Sequence, residues 1–427
     1  MNVGSGIHIF CYDNINLSTS IFVEQRGLSP AKVTSGTFAV LYKVRNGRAE
    51  HMKLAPILKR FKQVKGLIFD QDLQPTVDQM TSFLFQLKVV VVRVLTKYIK
   101  GFQSYSKSQG LQHKPRCPMP KGYVTEQFPL RATTIEEATV RGNLLFHDDI
   151  YLTQLKRSTD GLSEYAIPSI NDQLTNSRIR SGQILRARDI DPWERREVFQ
   201  LGFGLFHLCL NLVWALLHIH RGSLGDTGSL ASFFVLLEKT RLGSNHPDYH
   251  TLLSALTQIL DGLILNAWRL ECGCKNLSDF ALSRPSSKDL LKMASTIVLQ
   301  YATPLQKIKK DTDDADDSAD EADPPQSKTR TRRKPVVPPV VTIDTAPNPE
   351  KDRVNQNTCL LTRNLLYLAE LIRAISDGDI GRIEDFLPQL AMMFRGAGSN
   401  NYCAEILHFI LNLKHVWTPE FAYAKRR

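Results

Sequence analysis

Cysteine is sparse, and the few present fall into no framework. The seven stand at 11, 117, 209, 272, 274, 359 and 403. An odd number at irregular spacing excludes a disulfide scaffold and fits a reducing compartment. Cys272 and Cys274 form a lone CxC without the second pair that a four-ligand zinc site needs, and His246 and His250 do not supply one by proximity in sequence. The opening residues lack the basic segment of a secretory leader, so secretion is not expected. Long uninterrupted apolar runs are missing too. The best membrane candidate, 199–220, contains His207, Asn211, His218 and His220. Those side chains are costly in lipid, so a buried helix is expected there rather than a span.

What the chain does have is size and positive charge. Its 427 residues suffice for two or three domains, or for one core with a large insertion, and 42% hydrophobic content supports a folded protein. Lys plus Arg number 54 against 43 Asp plus Glu, a formal charge of +11 that favours an anionic partner, of which nucleic acid is the commonest.

The apolar run 6–12 reads as a central strand covered on both faces, which puts Asp13 at or near its carboxyl end. Residues 37–42 form a second strand candidate, and the lysine-bearing 53–66 reads as a surface segment. Thr76 is a candidate cap for a helix whose apolar positions run from Phe83 to Tyr98, against a competing strand signal at 89–92. Prolines 115, 118 and 120 mark 101–122 as a loop or linker. A capped helix start is expected at 133–137, with helix continuing over 142–154.

Asp172 follows a short run, 165–170, that ends as a strand would, and it precedes Thr175, Arg178 and Arg180. The plain reading makes it the cap of the next segment. The other makes it an acid presented at a strand end. Residues 197–220 read as one long helix, apolar nearly all round and therefore in a core. His207, Asn211, Trp214 and His218 share a stripe on it, either a structural hydrogen-bond network, which is preferred, or a wall beside a site. Helical patterns follow at 228–240, 249–268 and 287–303. The aspartate-rich 311–323, the basic residues 328–334 and nearby prolines cannot bury a core and read as disordered or as a long surface loop. The basic run is a candidate nuclear-import signal, so nucleus is favoured over cytoplasm. Helices resume at 360–375, 380–394 and 402–413, the last carrying Glu405 and His408 beside its apolar face.

Several segments taken together resemble one family: YDNIN at 12–16, SGT at 35–37, ATTIEEATVRGN at 132–143, DQLTNSRIR at 172–180, VFQLGFGLFH at 198–207, LNAWRLE at 265–271, SDGDIGRIE at 376–384 and NNYCAEILHFI at 400–410. They are similar to the uncharacterised domain family 6589 of mushroom-forming (basidiomycete) fungi, a transposase-like family, over nearly the whole chain. Members of that family usually begin further upstream, continue past the last helix, and carry glycine where this chain has Asn171. The resemblance therefore implies a chain truncated at both ends, with an added acidic insert.

An acid after the first strand, another after a later strand, a helical stretch and then a glutamate on a helix is the order of a ribonuclease H-like nuclease. The expected fold is accordingly α/β, with strands near the N-terminus, split by a large all-α insertion and mostly α by residue count. The expected parts are 1–196 for the first portion of the core, 197–305 for the helical insertion, 306–356 for the linker and 357–427 for the helices that complete the core. Asp13, Asp172 and Glu405 are the candidate catalytic and metal-binding carboxylates, since two divalent ions, Mg2+ or Mn2+, are held by hard oxygen ligands in such sites. Glu370, Asp379 and Glu384 compete for the third place. Arg178 and Arg180 are candidate phosphate contacts, or plain surface partners of Asp189 or Asp191. The expected activity is DNA cleavage and strand transfer, with DNA as partner and no membrane or small organic cofactor. The alternative is an inactive, truncated or domesticated relative that binds DNA or protein.

Overall fold

Phe10 and Tyr12 alternate with partly exposed neighbours, and both are buried. That period of two is what one face of a strand requires. In the computed structural model, which describes residues 7–19, 32–45, 47–244, 246–303 and 353–426, they lie on β1 (His8–Thr19). Their cross-strand partners on β2 (Lys32–Lys43) are Leu41 and Ala39, which extend the same apolar face. β3 (Gln127–Pro129) borders β2, and both pairings are antiparallel. On its other side β1 runs parallel to β4 (Ile167–Asn171), and β4 runs parallel to β5 (Phe199–Phe203). The strand order is β3-β2-β1-β4-β5.

Along the chain the helices are α1 (Leu54–Gln63), α2 (Val77–Tyr98), α3 (Val140–Asp148), α4 (Thr159–Ser163), α5 (Gln173–Leu185), α6 (Leu205–His220), α7 (Leu230–Leu236), α8 (Tyr249–Glu271), α9 (Leu277–Leu282), α10 (Ser287–Tyr301), α11 (Arg353–Ser376), α12 (Ile380–Glu384), α13 (Leu387–Gly396), α14 (Asn400–Leu411) and α15 (Pro419–Lys425). Helix predominates, and the sheet belongs to the first half of the chain.

Two apolar cores result. The first covers the sheet: Phe10, Tyr12, Leu41 and Phe199 meet Phe146, Tyr151, Ile179 and Trp193, and the chain's last segment adds Trp417 and Phe421. Trp417 Nε1 donates to Gln200 Oε1 at 2.9 Å and Lys425 Nζ to Gln200 O at 2.8 Å, so the C-terminal turn is fastened to β5. The second core is helical and gathers α2, α6, α8, α10, α11 and α13, with Trp268 Nε1 donating to Val91 O at 3.1 Å. α2 thus belongs with the helices that follow the sheet, not with the strands that flank it in sequence. It is also the helix among the described residues long and apolar enough to cross a membrane, and 56% of its apolar window is buried in protein.

Several expectations need correction. The helix expected over 197–220 is two elements, because Phe199–Phe203 is a strand at the edge of the sheet and helix begins at Leu205. A strand in a parallel sheet is buried on both faces and loses the alternation that would distinguish it from helix. Residues 53–66 are not merely a surface segment: α1 buries Leu54 and Ile57. The segment 101–122 contains two short 3-10 helices that bury Phe102 and Leu111. The helix after 133–137 starts later, at Val140, with the Thr139 hydroxyl as its cap. β1 runs on past Asp13 to Thr19, so Asp13 is not at its end. By contrast, Thr76 and Gln79 form the capping box that starts α2. The low-complexity region and its basic run lie outside the described residues.

Arg382 anchors the helical core. It is 2% exposed, pairs with Glu370 at 2.7 Å and reaches Asp377 at 2.7 Å. Removing one member leaves an uncompensated buried charge. Arg382→Leu is expected to cost about 3–5 kcal/mol in denaturant unfolding, and joint Arg382→Leu and Glu370→Leu to recover much of that loss.

Candidate functional site

The register of the parallel strands decides where the two aspartates sit. Phe10 pairs with Ser169, and Asp13 and Asp172 each follow three residues later. Neighbouring parallel strands lie about 5 Å apart, so both acids stand level at the edge where β4 ends. β4 and β5 end together, since Asn171 pairs with Phe203, and the Gly204 amide donates to Asn171 O at 2.9 Å. α6 therefore starts beside Asp172 and brings His207, in its first turn, to the same corner.

Asp172 is the N-cap of α5: its Oδ1 accepts from the Thr175 amide at 2.7 Å. The capping reading is thus correct, and it is compatible with the acid's place at the strand edge. Asp13 is exposed. Its Oδ1 accepts from the Asn14 amide at 2.8 Å, and its Oδ2 lies 3.8 Å from His207 Nε2. The His207 contact holds the Asp13 carboxyl below its ordinary value. The same contact raises His207, with a further contribution from the charge of Asp172.

A third carboxylate belongs to this corner and was read in the sequence as part of a helix start. Glu137 is 3% exposed, and its Oε2 accepts from Thr175 Oγ1 at 2.7 Å. Burial, reinforced by the charges of Asp172 and Asp13, pushes its carboxyl up to about 7. The segment holding it is tightly seated. A side chain at Gly142 would meet the Glu136 carbonyl, so only glycine permits that approach. Asn143 Nδ2 donates to the Glu137 and Thr139 carbonyls, and Arg178 Nε donates to Ala138 O at 3.2 Å. Beneath lies a buried chain in which Tyr12 donates to Asn143 Oδ1 at 2.6 Å and meets His147 Nε2 at 2.9 Å. Burial holds His147 well below its ordinary value, so it is the neutral ring that donates back to Tyr12.

Glu405 is placed differently. It is 3% exposed on α14 and accepts from Asn176 Nδ2 at 2.7 Å and from both Arg180 nitrogens, the longer bond 3.2 Å. Asn176 also donates to Gly202 O at 3.0 Å. The carboxylate is held as an internal ion pair that ties α5 and β5 to α14. Arg180 is spent on that pair and Arg178 on the Ala138 carbonyl. Neither meets Asp189, whose carboxylate is taken by Arg186. Of the other competitors, Glu370 and Glu384 are paired with Arg382 and Arg426, and Asp379 caps α12. The stripe on α6 divides: His207 faces the acids, whereas Asn211 donates to His207 O and Trp214 to Pro247 O.

The geometry brings Asp13, Asp172, Glu137 and His207 to one corner and leaves Glu405 in the clamp behind it. Among the described residues no group of three or more His, Cys, Asp and Glu side chains is arranged to hold a metal ion. The donors at the corner are hard oxygens of the kind a divalent cation takes: two carboxylates stand level, with a third, held protonated chiefly by its burial, beside them.

The linkage signs follow. Asp13 adds stability above its unfolded value of 3.8 and loses it as pH falls through its lowered folded value. His207 adds stability in full below 6.5 and loses it as pH rises through its raised folded value. The pair is therefore intact between those two folded values. An NMR titration of His207 is expected to show its midpoint falling in Asp13→Asn, and an unchanged midpoint would show the contact to be absent.

The model of a family described as a family of unknown function (DUF6589) matches residues 62–427. Comparison with curated proteins and with solved structures returned no match.

Proposed function

The chain belongs to this family of unknown function, and from that premise we propose that it is a transposase-like, metal-dependent nucleic-acid-processing protein built on a ribonuclease H-like core. The observation that carries the reading is the level placement of Asp13 and Asp172 on adjacent parallel strands. The strand order supports it, because three antiparallel strands followed by two parallel ones, in the order 3-2-1-4-5, is the arrangement of that fold. Ligands of open α/β sheets gather at the carboxyl ends of parallel strands. The charge of +11 suits a polyanionic substrate.

In this reading Asp13 and Asp172 hold the divalent cation, Mg2+ or Mn2+. The bound ion would supply Lewis-acid activation of the scissile phosphate and of the attacking oxygen. His207 keeps Asp13 ionised and oriented. Glu137, retaining its proton up to about pH 7, joins His207 as a group at the corner able to exchange a proton near neutrality. Glu405 and Arg180 act behind the site by fixing α5, on which Asp172 is the first turn's cap. A second reading, DNA or protein binding without cleavage, is favoured by one observation: the carboxylate of Glu405 is already engaged by Arg180 and Asn176.

Nicking of supercoiled DNA in Mg2+ or Mn2+, with calorimetric Mn2+ binding alongside, separates the two. Asp13→Asn and Asp172→Asn are each expected to lower nicking about a hundredfold or more, equivalent to about 3 kcal/mol in the barrier, and to weaken Mn2+ binding. Glu405→Gln is expected chiefly to lower the unfolding midpoint. A folded parent that binds DNA but neither nicks it nor takes up Mn2+ would establish the binding reading instead.

A further inference from the structure

α8 ends in Cys272-Gly273-Cys274, and nothing in the reading above uses these residues. Cys272 is the C-cap of the helix, its amide donating to Trp268 O at 3.0 Å. Gly273 then turns the chain with φ of 63°, in the left-handed region, and open space surrounds the position of a side chain there. Across that turn a single residue separates the two cysteines. Cys272 Sγ lies 3.5 Å from Arg269 O, and both cysteines are partly exposed while their inner sides pack on the helical core. Cys209 and Cys359, by contrast, are buried.

We propose that Cys272 and Cys274 form a reversible intramolecular disulfide by exchange with low-molecular-weight disulfides, making the end of α8 a redox modification site. One thiolate attacks a sulfur of the small disulfide, forming a mixed disulfide and releasing one small thiol. The neighbouring thiolate then attacks the protein sulfur of that mixed disulfide, forming the internal S–S bond and releasing the second small thiol. In balance, two protein thiols are oxidised, one small disulfide is reduced to two thiols, and both protons pass to the released thiols. The thiols are close enough for Cys272 to act on the ionisation of Cys274, whose thiol is raised first by burial and then by that neighbour. A ring closed over a single intervening residue is strained, so the bond belongs to the labile, exchangeable kind and not to structural disulfides.

The test uses the full chain in glutathione buffers of stepped oxidised-to-reduced ratio, quenched by acid, alkylated and read by peptide mass spectrometry. The peptide spanning Cys272 and Cys274 is expected to appear cross-linked, two hydrogens lighter, in about tenfold excess over its glutathione adducts, and to return to dithiol in excess reduced glutathione without denaturant. Cys274→Ser is expected to hold a stable glutathione adduct on Cys272, with an unfolding midpoint like the parent's. The inference is overturned if both thiols stay alkylatable while Cys117 or Cys403 is modified. Accumulation of stable adducts without a cross-link in the unsubstituted chain overturns it equally.

Discussion

The buried Glu405 carboxylate is the joint on which the arrangement depends. Arg180 lies 225 residues from it in the chain and Asn176 lies 229, and between them runs most of the helical core, from α6 to α13. An ionised carboxylate with so little exposure is tolerable only where charge and hydrogen bonds replace the water it has lost. Arg180 supplies the charge, and Asn176 supplies a neutral donor that also holds the Gly202 carbonyl. The same few atoms thus fix α5 against β5 and α14 against both. Such a pair adds little net stability over an apolar one. What it contributes is orientation, because a shift of α14 would separate Glu405 from the Arg180 and Asn176 donors that satisfy it.

That orientation matters at the sheet edge. Asp172 caps α5, so the direction of the helix and the position of the carboxylate are one quantity. Fixing α5 from behind, through Arg180, fixes Asp172 in front. β5 then turns into α6 at Gly204, whose amide is tied to Asn171, and the first turn of α6 delivers His207 to Asp13. Two strand-to-helix junctions and the loop carrying Glu137 meet at one place, though they come from separate stretches of the chain.

How much of this was legible before the fold was known differs residue by residue. β1, the Thr76 cap and the cap at Asp172 rest on local rules, side-chain alternation and the spacing of an oxygen from an amide, and these were readable. β5 was not. Apart from Gln200 its residues are apolar or glycine, and they adjoin an apolar helix, so the run showed no change of period. The glycines at 202 and 204 were the available signs of a break. Asp13 was legible as an acid after a strand, but not as a residue in mid-strand, because the continuation to Thr19 depends on the hairpin with β2. Glu137 was hidden by distance: its partner Thr175 is 38 residues on, and a glutamate beside a threonine cap looks like any helix start. Glu405 could be picked out as an acid on a helix, yet its burial and its claim on Arg180 follow from packing alone. The family, in turn, was legible from segments spread along the chain, and its model spans 62–427.

The electrostatics of the corner carry one more step. Three carboxylates gathered at a sheet edge repel one another, and the fold tolerates them by two different means. Asp13 keeps its charge because His207 approaches it. Glu137 gives its charge up, since burial and the neighbouring acids hold its proton to about pH 7. Each device does part of what a divalent cation would do in the same place. Under the proposed function, ion uptake must therefore compete with a proton on Glu137 and with the charge of His207. Affinity would rise with pH through the neutral range as protons are released. Protons on Glu137 and His207 offset part of the corner's charge, and the surrounding hydrogen bonds hold it in shape as they come and go.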